Sequence, residues 1–585
     1  MTSLLSPLTQ SHQSQRRAAF LRGVGLALLA LVIFSRSPDV LLNARFFAED
    51  GQIFYQQAHE LGFLPSIFLP FAGYLHLLPR LIAGIALWLP IYFVPLFFNL
   101  VALAVQYVTA LYIFSLRMRN IGPFSVRVVV AVLYLGLPHI GEVWGKLVNS
   151  QWQMAVLAFL ILIAAPPESR FGSWFDGIAL SMGALTGPFC ILLLPIALLV
   201  AVYRRTPWTM IHLGILAMGG TVQAIPLLTT GRPAEYANLG ASFPLLCHLL
   251  IRWLFLGVLP TSSKVLTLLR PMAGSRLFSG FIWALALALA LWIVWKASFE
   301  LRCALLFGAI VITASLASPK IVTGGEQWPG MLTGAGERYW FIPRLVLAVT
   351  VLWVALQPFS KPWLRAGGIL AMAAILVCSV LGWHIQQWKS PHFRTYVHVF
   401  NALPVGAPLR IPIDPPPGWA LQLTKRPSDP ISRDVTFTDG EVLRIRAWQS
   451  QIHFSVAKET TAPCVGAFLW INGTAVRGAD VLPLARVSIR DGALVEGWAI
   501  VPKVPDGSEF VPSDQIYAVA SDYVVRGDWL PLTGERNKRL GSAAYLVFLP
   551  SRILRPGLQE VTVMGYSERD RQLHGYGPKL YIYGD

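Results

Sequence analysis

Long apolar stretches broken by short polar ones fill the first 383 residues, whereas the last 202 alternate apolar and polar positions with period two. Apolar runs of about 20 residues, or fewer where helices are short or broken, suffice to cross a bilayer. The pattern predicts about eleven membrane helices, near 18–36, 92–116, 127–140, 152–165, 175–187, 189–203, 208–228, 278–297, 302–317, 341–358 and 366–383. In the tail, residues 442–448, 466–473, 494–501, 515–521, 544–550 and 559–566 read as strands bounded by Gly, Pro and Asp. Pro412, Pro415, Pro416 and Pro417 mark a linker near its start. The expected organisation is a transmembrane domain over 1–383, a linker over 384–417 and a β-sandwich over 418–585.

Charge orients these spans. Arg16, Arg17 and Arg22; Arg117, Arg119 and Arg127; Arg204 and Arg205; and Lys361 and Arg365 sit in small groups between apolar segments. An excess of Lys and Arg marks cytoplasmic loops, so the N-terminus reads as cytoplasmic and the tail as periplasmic or extracellular. Counting 76–89 as a further span would move Arg117, Arg119 and Arg127 to the outer side, so it reads as re-entrant. Three outer loops follow, 37–75, 229–277 and 318–340, with 244–259 lying along the interface.

Composition narrows the class. Of 585 residues, 55% are apolar and 13% charged, about half the charge of a soluble globular protein. The net charge is +17, but no continuous basic face exists, so nucleic acid is not an expected partner. The first 383 residues hold 25 basic and 11 acidic residues, a net of +14; the tail holds 22 and 19. Seven of those eleven acids lie in the three outer loops. Carboxylates are costly at membrane depth, and their gathering at one face suggests a polar cavity there. The five cysteines include no CxxC or Cys/His cluster, so neither a disulfide framework nor a zinc site is expected. The first apolar segment runs into charged and aromatic sequence without a small-residue cleavage site, so a cleaved signal peptide is not expected either.

Four stretches carry candidate chemistry. In ARFFAEDGQIFYQQAHELG (44–62), Glu49 and Asp50 precede an aromatic amphipathic helix, Ile53 to Leu61. Such a helix lies in the interface plane and would hold a carboxylate where a lipid-linked head group arrives, able to act as general base. The alternative is that Asp50 merely caps the helix. In PFAGYLHLLPRLIAG (70–84), Arg80 with His76 and Tyr74 suits a phosphate; otherwise Arg80 snorkels to head groups or pairs with Glu49. In GEVWGKLVNSQWQM (141–154), Lys146, Asn149, Gln151 and Trp152 suit a sugar, while Trp144 fits an interfacial belt. In GGEQWPGMLTGAGERYWFIPR (324–344), glycines followed by Glu337, Arg338 and Tyr339 suit a loop that closes over substrate, or a solvated hairpin whose Arg338 meets lipid phosphates. GALTGPF (183–189) reads as a simple helix break.

Through FFAEDG (46–51), GYLHLLPR (73–80), GERYWFIP (336–343) and the layout of 18–383, the chain resembles the GT-C superfamily of polytopic membrane glycosyltransferases. That resemblance implies inverting transfer of a sugar from a polyprenyl-phosphate donor to a cell-envelope glycan or lipid acceptor at the inner membrane. Asp50 would be the first-loop catalytic acid, with Glu49 as the alternative. Arg80, Arg338 and Lys146 would meet the donor phosphate, and Tyr74, His76, Asn149, Gln151, Glu337 and Tyr339 the rest of the substrate. Some relatives use a DxD pair and a divalent metal; Glu49 and Asp50 are adjacent, so no metal or other cofactor is expected. The tail resembles carbohydrate-binding-like domains, with Trp419, Trp448, Trp470, Trp498 and Trp529 able to stack on sugars or to fill a sandwich core. A flippase for lipid-linked glycans, or a polysaccharide polymerase or ligase, is the alternative function. A flippase would carry ionisable residues deep in several spans and related halves, and neither is visible.

Overall fold

The computed structural model describes residues 6–230, 238–258, 288–321, 325–332, 334–358 and 362–385, and, beyond them, strands and short segments between 393 and 584. The chain divides into two compact units. The first comprises 1–44, 64–83 and 96–387, and the second 45–63, 84–95 and 388–585.

Apolar helices build the first unit: α1 Ser6–Arg36, α2 Leu77–Ala86, α3 Val94–Phe114, α4 Phe124–Gly136, α5 Ser150–Ile163, α6 Arg170–Ala184, α7 Phe189–Arg204, α8 Pro207–Thr229, α9 Phe299–Ala317, α10 Phe341–Leu356 and α11 Pro362–Leu381. Ten of these fall on expected spans; of the eleventh, 278–297, only residues from 288 on are described. Among the described residues, five helical stretches are long and apolar enough to cross a membrane by length and composition, beginning at Ile91, Pro207, Phe299, Glu337 and Pro362. Large apolar side chains such as Met218, Leu228, Leu370 and Leu381 point outward, as lipid-facing helices require. The unit has the character of a helical membrane protein that crosses the bilayer several times.

Segment 76–89 contains only the ten-residue α2. Ten residues rise about 15 Å, half the hydrocarbon thickness, so α2 is too short to span. Of the outer loop 229–277, residues 231–237 and 259–277 lie outside the described residues. Its described helical part, 243–258, packs Leu249 and Trp253 against Met331 and Trp340 of the third outer loop. Trp253 Nε1 also donates to Met331 O at 2.9 Å.

The second unit holds most of the strands. β1 Pro408–Pro412, within the stretch expected as linker, pairs antiparallel with β2 Ala420–Thr424. A larger sheet runs in the order 474–475, 465–471, 493–502, 543–549, 523–531, 515–520, 557–567, 580–584 and 484–487, antiparallel except for its last pair. All six expected strand stretches contain strands of this sheet. The sequence Tyr523–Pro531 forms a further strand that alternation had not marked.

Candidate functional site

In the first unit the site begins with a tight reversal. Phe71 and Tyr74 exchange backbone hydrogen bonds of 2.9 and 3.2 Å, and both residues between them take the left-handed conformation, Ala72 at φ 57° and Gly73 at φ 89°. That is the twist a two-residue hairpin needs. The reversal stacks Tyr74 on His76 with ring centroids 4.6 Å apart and brings Phe71 to 5.7 Å from the same imidazole.

The chain then runs beside the turn between α6 and α7. Leu77 N donates to Leu185 O, Gly187 N donates to Leu75 O, and Leu78 N donates to Thr186 Oγ1, all at 2.9–3.0 Å. The GALTGPF segment is therefore an edge that holds residues 75–78, more than a helix break. Gln223 of α8 completes the clasp from a fully buried position. Gly187 has φ 92°, and a Cβ there would lie 2.1 Å from Gln151 Oε1. Glycine is thus called for by the backbone, whereas the flexible end of Gln151 can shift aside.

Two cations flank His76. Arg80, one turn into α2, has no exposed surface; it does not snorkel to a surface. Lys320 places its Nζ 4.4 Å from the centre of the Phe71 ring. Burial first, then the charges of Arg80 and Lys320, push His76 down to about 3, against a hydrogen bond with the Tyr74 backbone. His76 is therefore neutral at physiological pH, and the local potential is positive.

Lys320 connects this group to the third outer loop. Its backbone N–H donates to Tyr339 Oη at 2.9 Å, and its carbonyl accepts from Arg338 Nη2 at 2.7 Å. Arg338 Nη1 donates to Glu142 Oε2 at 2.9 Å, and the same carboxylate accepts from the backbone N–H groups of Gly336 and Arg338. Glu142, rather than the neighbouring Glu337, is thus the ion-pair partner of Arg338. Asn149 Nδ2 donates to Glu142 O at 2.7 Å, so Asn149 shapes this loop. Trp152 meets Tyr339 at 5.7 Å and Phe189 at 4.8 Å.

Arg344 staples the loops from beneath. Its guanidinium is fully buried and donates to five carbonyls, those of Trp340, Pro138, Gly257, His139 and Glu337. Lys146 is buried in the 141–149 loop. Trp144 does not belong to an interfacial belt: it is 1% exposed and lies 4.9 Å from the Arg36 guanidinium.

Glu49 and Asp50 belong to the second unit. The expected helix Ile53 to Leu61 begins three residues earlier, as a π-turn Asp50–Tyr55 followed by the α-helix Gln56–Leu61. Such π-turns are rare and concentrate at functional sites. Asp50 is the first residue of the turn, not its N-cap; Glu49 holds that position without a side-chain cap bond. The Asp50 side chain is buried.

A frame from the C-terminal part of the unit surrounds this turn. Asp414 N donates to Phe46 O at 3.1 Å, Asp414 O accepts from Ala48 N, and the Asp414 carboxylate pairs with Arg45 at 3.3 Å. Ala48, held by that bond, has φ 39°, a conformation costly for a residue with a Cβ. Gln52 and Gln56, one turn apart, accept from the backbone N–H groups of Ala420 and Gln422, alternate residues of β2. At the far end His59 Nε2 lies 3.1 Å from Asp429. Burial and then Arg426 push the His59 pKa below its ordinary value, against the pull of Asp429.

The sequence motifs of the first unit thus converge, while Lys320, Glu142, Thr186, Gln223 and Arg344 were not singled out. Lys320 had one available signal: a basic residue in a loop that the charge rule places outside. Among the described residues no group of three or more His, Cys, Asp or Glu side chains could hold a metal ion. No protein-family model matches the chain, and no curated protein matches it by sequence.

Proposed function

We propose that this chain is an inverting membrane glycosyltransferase that takes a sugar from a polyprenyl-phosphate donor and passes it to a cell-envelope glycan or lipid acceptor. The reading places eleven spans in the inner membrane, with the N-terminus cytoplasmic and the β-rich tail folded as a sandwich on the outer face. The observation that carries it is the gathering of residues 70–80, 141–154, 185–187, Lys320 and 336–339 around a buried neutral imidazole flanked by Arg80 and Lys320. Two cations among aromatic and amide side chains at the ends of apolar helices suit a phosphate that bears both a lipid and a sugar.

The roles follow from what each side chain already does. Arg80 and Lys320, with Lys146, are the proposed phosphate cations. Arg338 is committed to Glu142 and to the Lys320 carbonyl, so its proposed role is to position the Lys320 backbone. Tyr74, His76 and Gln151 are the proposed sugar contacts; neutral His76 can both donate and accept a hydrogen bond. Asp50 is the proposed base. The acceptor oxygen attacks the anomeric carbon, its proton passes to a general base, for which the resemblance names Asp50 of the second unit, and the carbon–oxygen bond to phosphate breaks with the electron pair leaving on the phosphate.

The test is transfer by the purified chain from a synthetic polyprenyl-phosphate sugar. Asp50→Asn is expected to lower kcat by at least about a hundredfold with little change in KM, the range for loss of a general base. Arg80→Gln and Lys320→Gln are expected to raise KM for the donor. Full activity in Asp50→Asn would remove the base assignment, and unchanged KM in both cation variants would remove the phosphate assignment.

A further inference from the structure

A cavity of about 440 Å³ lies within the first unit, away from the loops described above, between α4, α5, α9 and α10. One wall is a stripe along the full length of α10: Ile342, Val346, Val349, Trp353 and Leu356. This spacing is one face of a helix, and it extends for about 21 Å at 1.5 Å per residue. The cavity is therefore a slot parallel to the helices.

Its two ends differ. At the end near the start of α10, the lining residues Tyr134, Phe307 and Ile342 are fully buried and close it. At the other end Pro123, Ser298 and Leu356 line it and are exposed, forming a mouth. One carboxylate sits at that mouth, Glu300, already bonded by Arg204 at 3.3 Å and by Asn120 at 3.2 Å. Exposed Arg119 precedes lining residue Ile121 by two positions, and exposed Arg302 follows Glu300 by two. The segments that form the mouth, 116–123 and 298–302, therefore hold more basic than acidic residues, with Arg302 also donating to the Trp295 carbonyl.

We infer that this slot holds one acyl chain of an anionic bilayer phospholipid, whose head group sits at the Pro123–Ser298–Leu356 mouth. An apolar slot as long as most of the hydrocarbon layer matches a single extended chain, and basic residues at its opening match an anionic head group. The occupant is not the lipid of the proposed donor. The mouth is at the C-terminal end of α10, whereas Arg338 and Tyr339 precede its N-terminal end. A phosphate at the mouth is a helix length away from them. The inference does not rest on the transferase reading.

The test uses the full chain purified in mild detergent and offered equal amounts of phosphatidylglycerol and phosphatidylcholine with the same acyl chains. Native mass spectrometry is expected to show one retained phosphatidylglycerol, and nanodiscs of that lipid are expected to raise the Tm above phosphatidylcholine nanodiscs. Ala304→Trp, which fills the slot, should reduce retention about tenfold, as expected when a chain loses a few methylenes of burial. Leu370→Trp, on the outward face of α11, should retain the lipid as the wild type does. Failure of Ala304→Trp to fold leaves the wild-type comparison decisive. Retention of neither lipid, equal retention of both, undiminished retention by a folded Ala304→Trp, or displacement by polyprenyl phosphate at equal concentration would each overturn the inference.

Discussion

Gln223 Oε1 accepts a hydrogen bond from the backbone N–H of Leu75 at 2.8 Å, although 148 positions separate the two residues. Its Nε2 donates in return to the carbonyls of Leu75 and Ala184 at 3.2 and 3.3 Å. A single buried amide thus holds the Leu75 backbone as a neighbouring strand would. Gln223→Leu keeps the volume and strands the Leu75 N–H, while the Leu75 carbonyl keeps Gly187, at a cost of about 1–3 kcal/mol. The measurement is the thermal midpoint in detergent, and an unchanged midpoint would show that the clasp contributes nothing.

The Glu142–Arg338 pair is about one-quarter exposed on each side, so the ion pair itself is worth at most about 1 kcal/mol. Glu142 also accepts from the backbone N–H groups of Gly336 and Arg338, which Arg338→Ala leaves in place while it removes one bond to the Lys320 carbonyl. Glu142→Ala is therefore expected to destabilise more than Arg338→Ala, by about 1 kcal/mol. A double-mutant cycle separates the two contributions, and equal single-variant losses would contradict the backbone role.

His76 links stability to pH. Its folded value is about 3, against about 6.5 for a free imidazole. Between those values the unfolded chain binds a proton that the folded chain refuses. Its contribution, fully present above pH 6.5, is therefore lost as pH falls from about 6.5 towards about 3. His76→Gln removes the titration and is expected to flatten this limb of the profile. Denaturation midpoints from about pH 7 to about pH 4 compare the two chains, and parallel profiles would exclude His76 as a source of the slope.

Gly187→Ala meets one fixed obstacle, its φ of 92°, and one movable one, the end of the Gln151 side chain. The strain alone costs about 1–3 kcal/mol. Adding Gln151→Ser removes the collision and leaves the strain, so the double variant is expected to recover only part of the loss. Full recovery would mean that the backbone conformation carries no cost.

Helices and strands were legible because both rest on local periodicity. The ends of α3, α5 and α7 fall within a few residues of the apolar runs that mark them. The site was legible as separate pieces. Tyr74, His76 and Arg80 share one short stretch whose polarity stands out against apolar neighbours, and Gln151 and Tyr339 stand out likewise. What joins the pieces was hidden, since a buried glutamine in the middle of an apolar helix gives no sign of its partner 148 positions away. Glu142 was passed over because its role is to accept backbone N–H groups, which any sequence supplies. The misreading of Trp144 has the same origin: tryptophan near a helix end looks alike whether it faces lipid or a buried Arg36.

The hold of Asp414 on residues 45–48 has a consequence for the order in which the chain is made. Asp414 and β2 follow the Glu49–Asp50 pair by more than 360 positions. A ribosome that has delivered every membrane helix has not yet delivered the backbone that fixes this turn. The acidic pair therefore stays without its frame throughout membrane insertion and acquires it only when translation passes residue 429. A chain stopped at 383 would keep all its expected membrane spans and lack the backbone that frames residues 45–48.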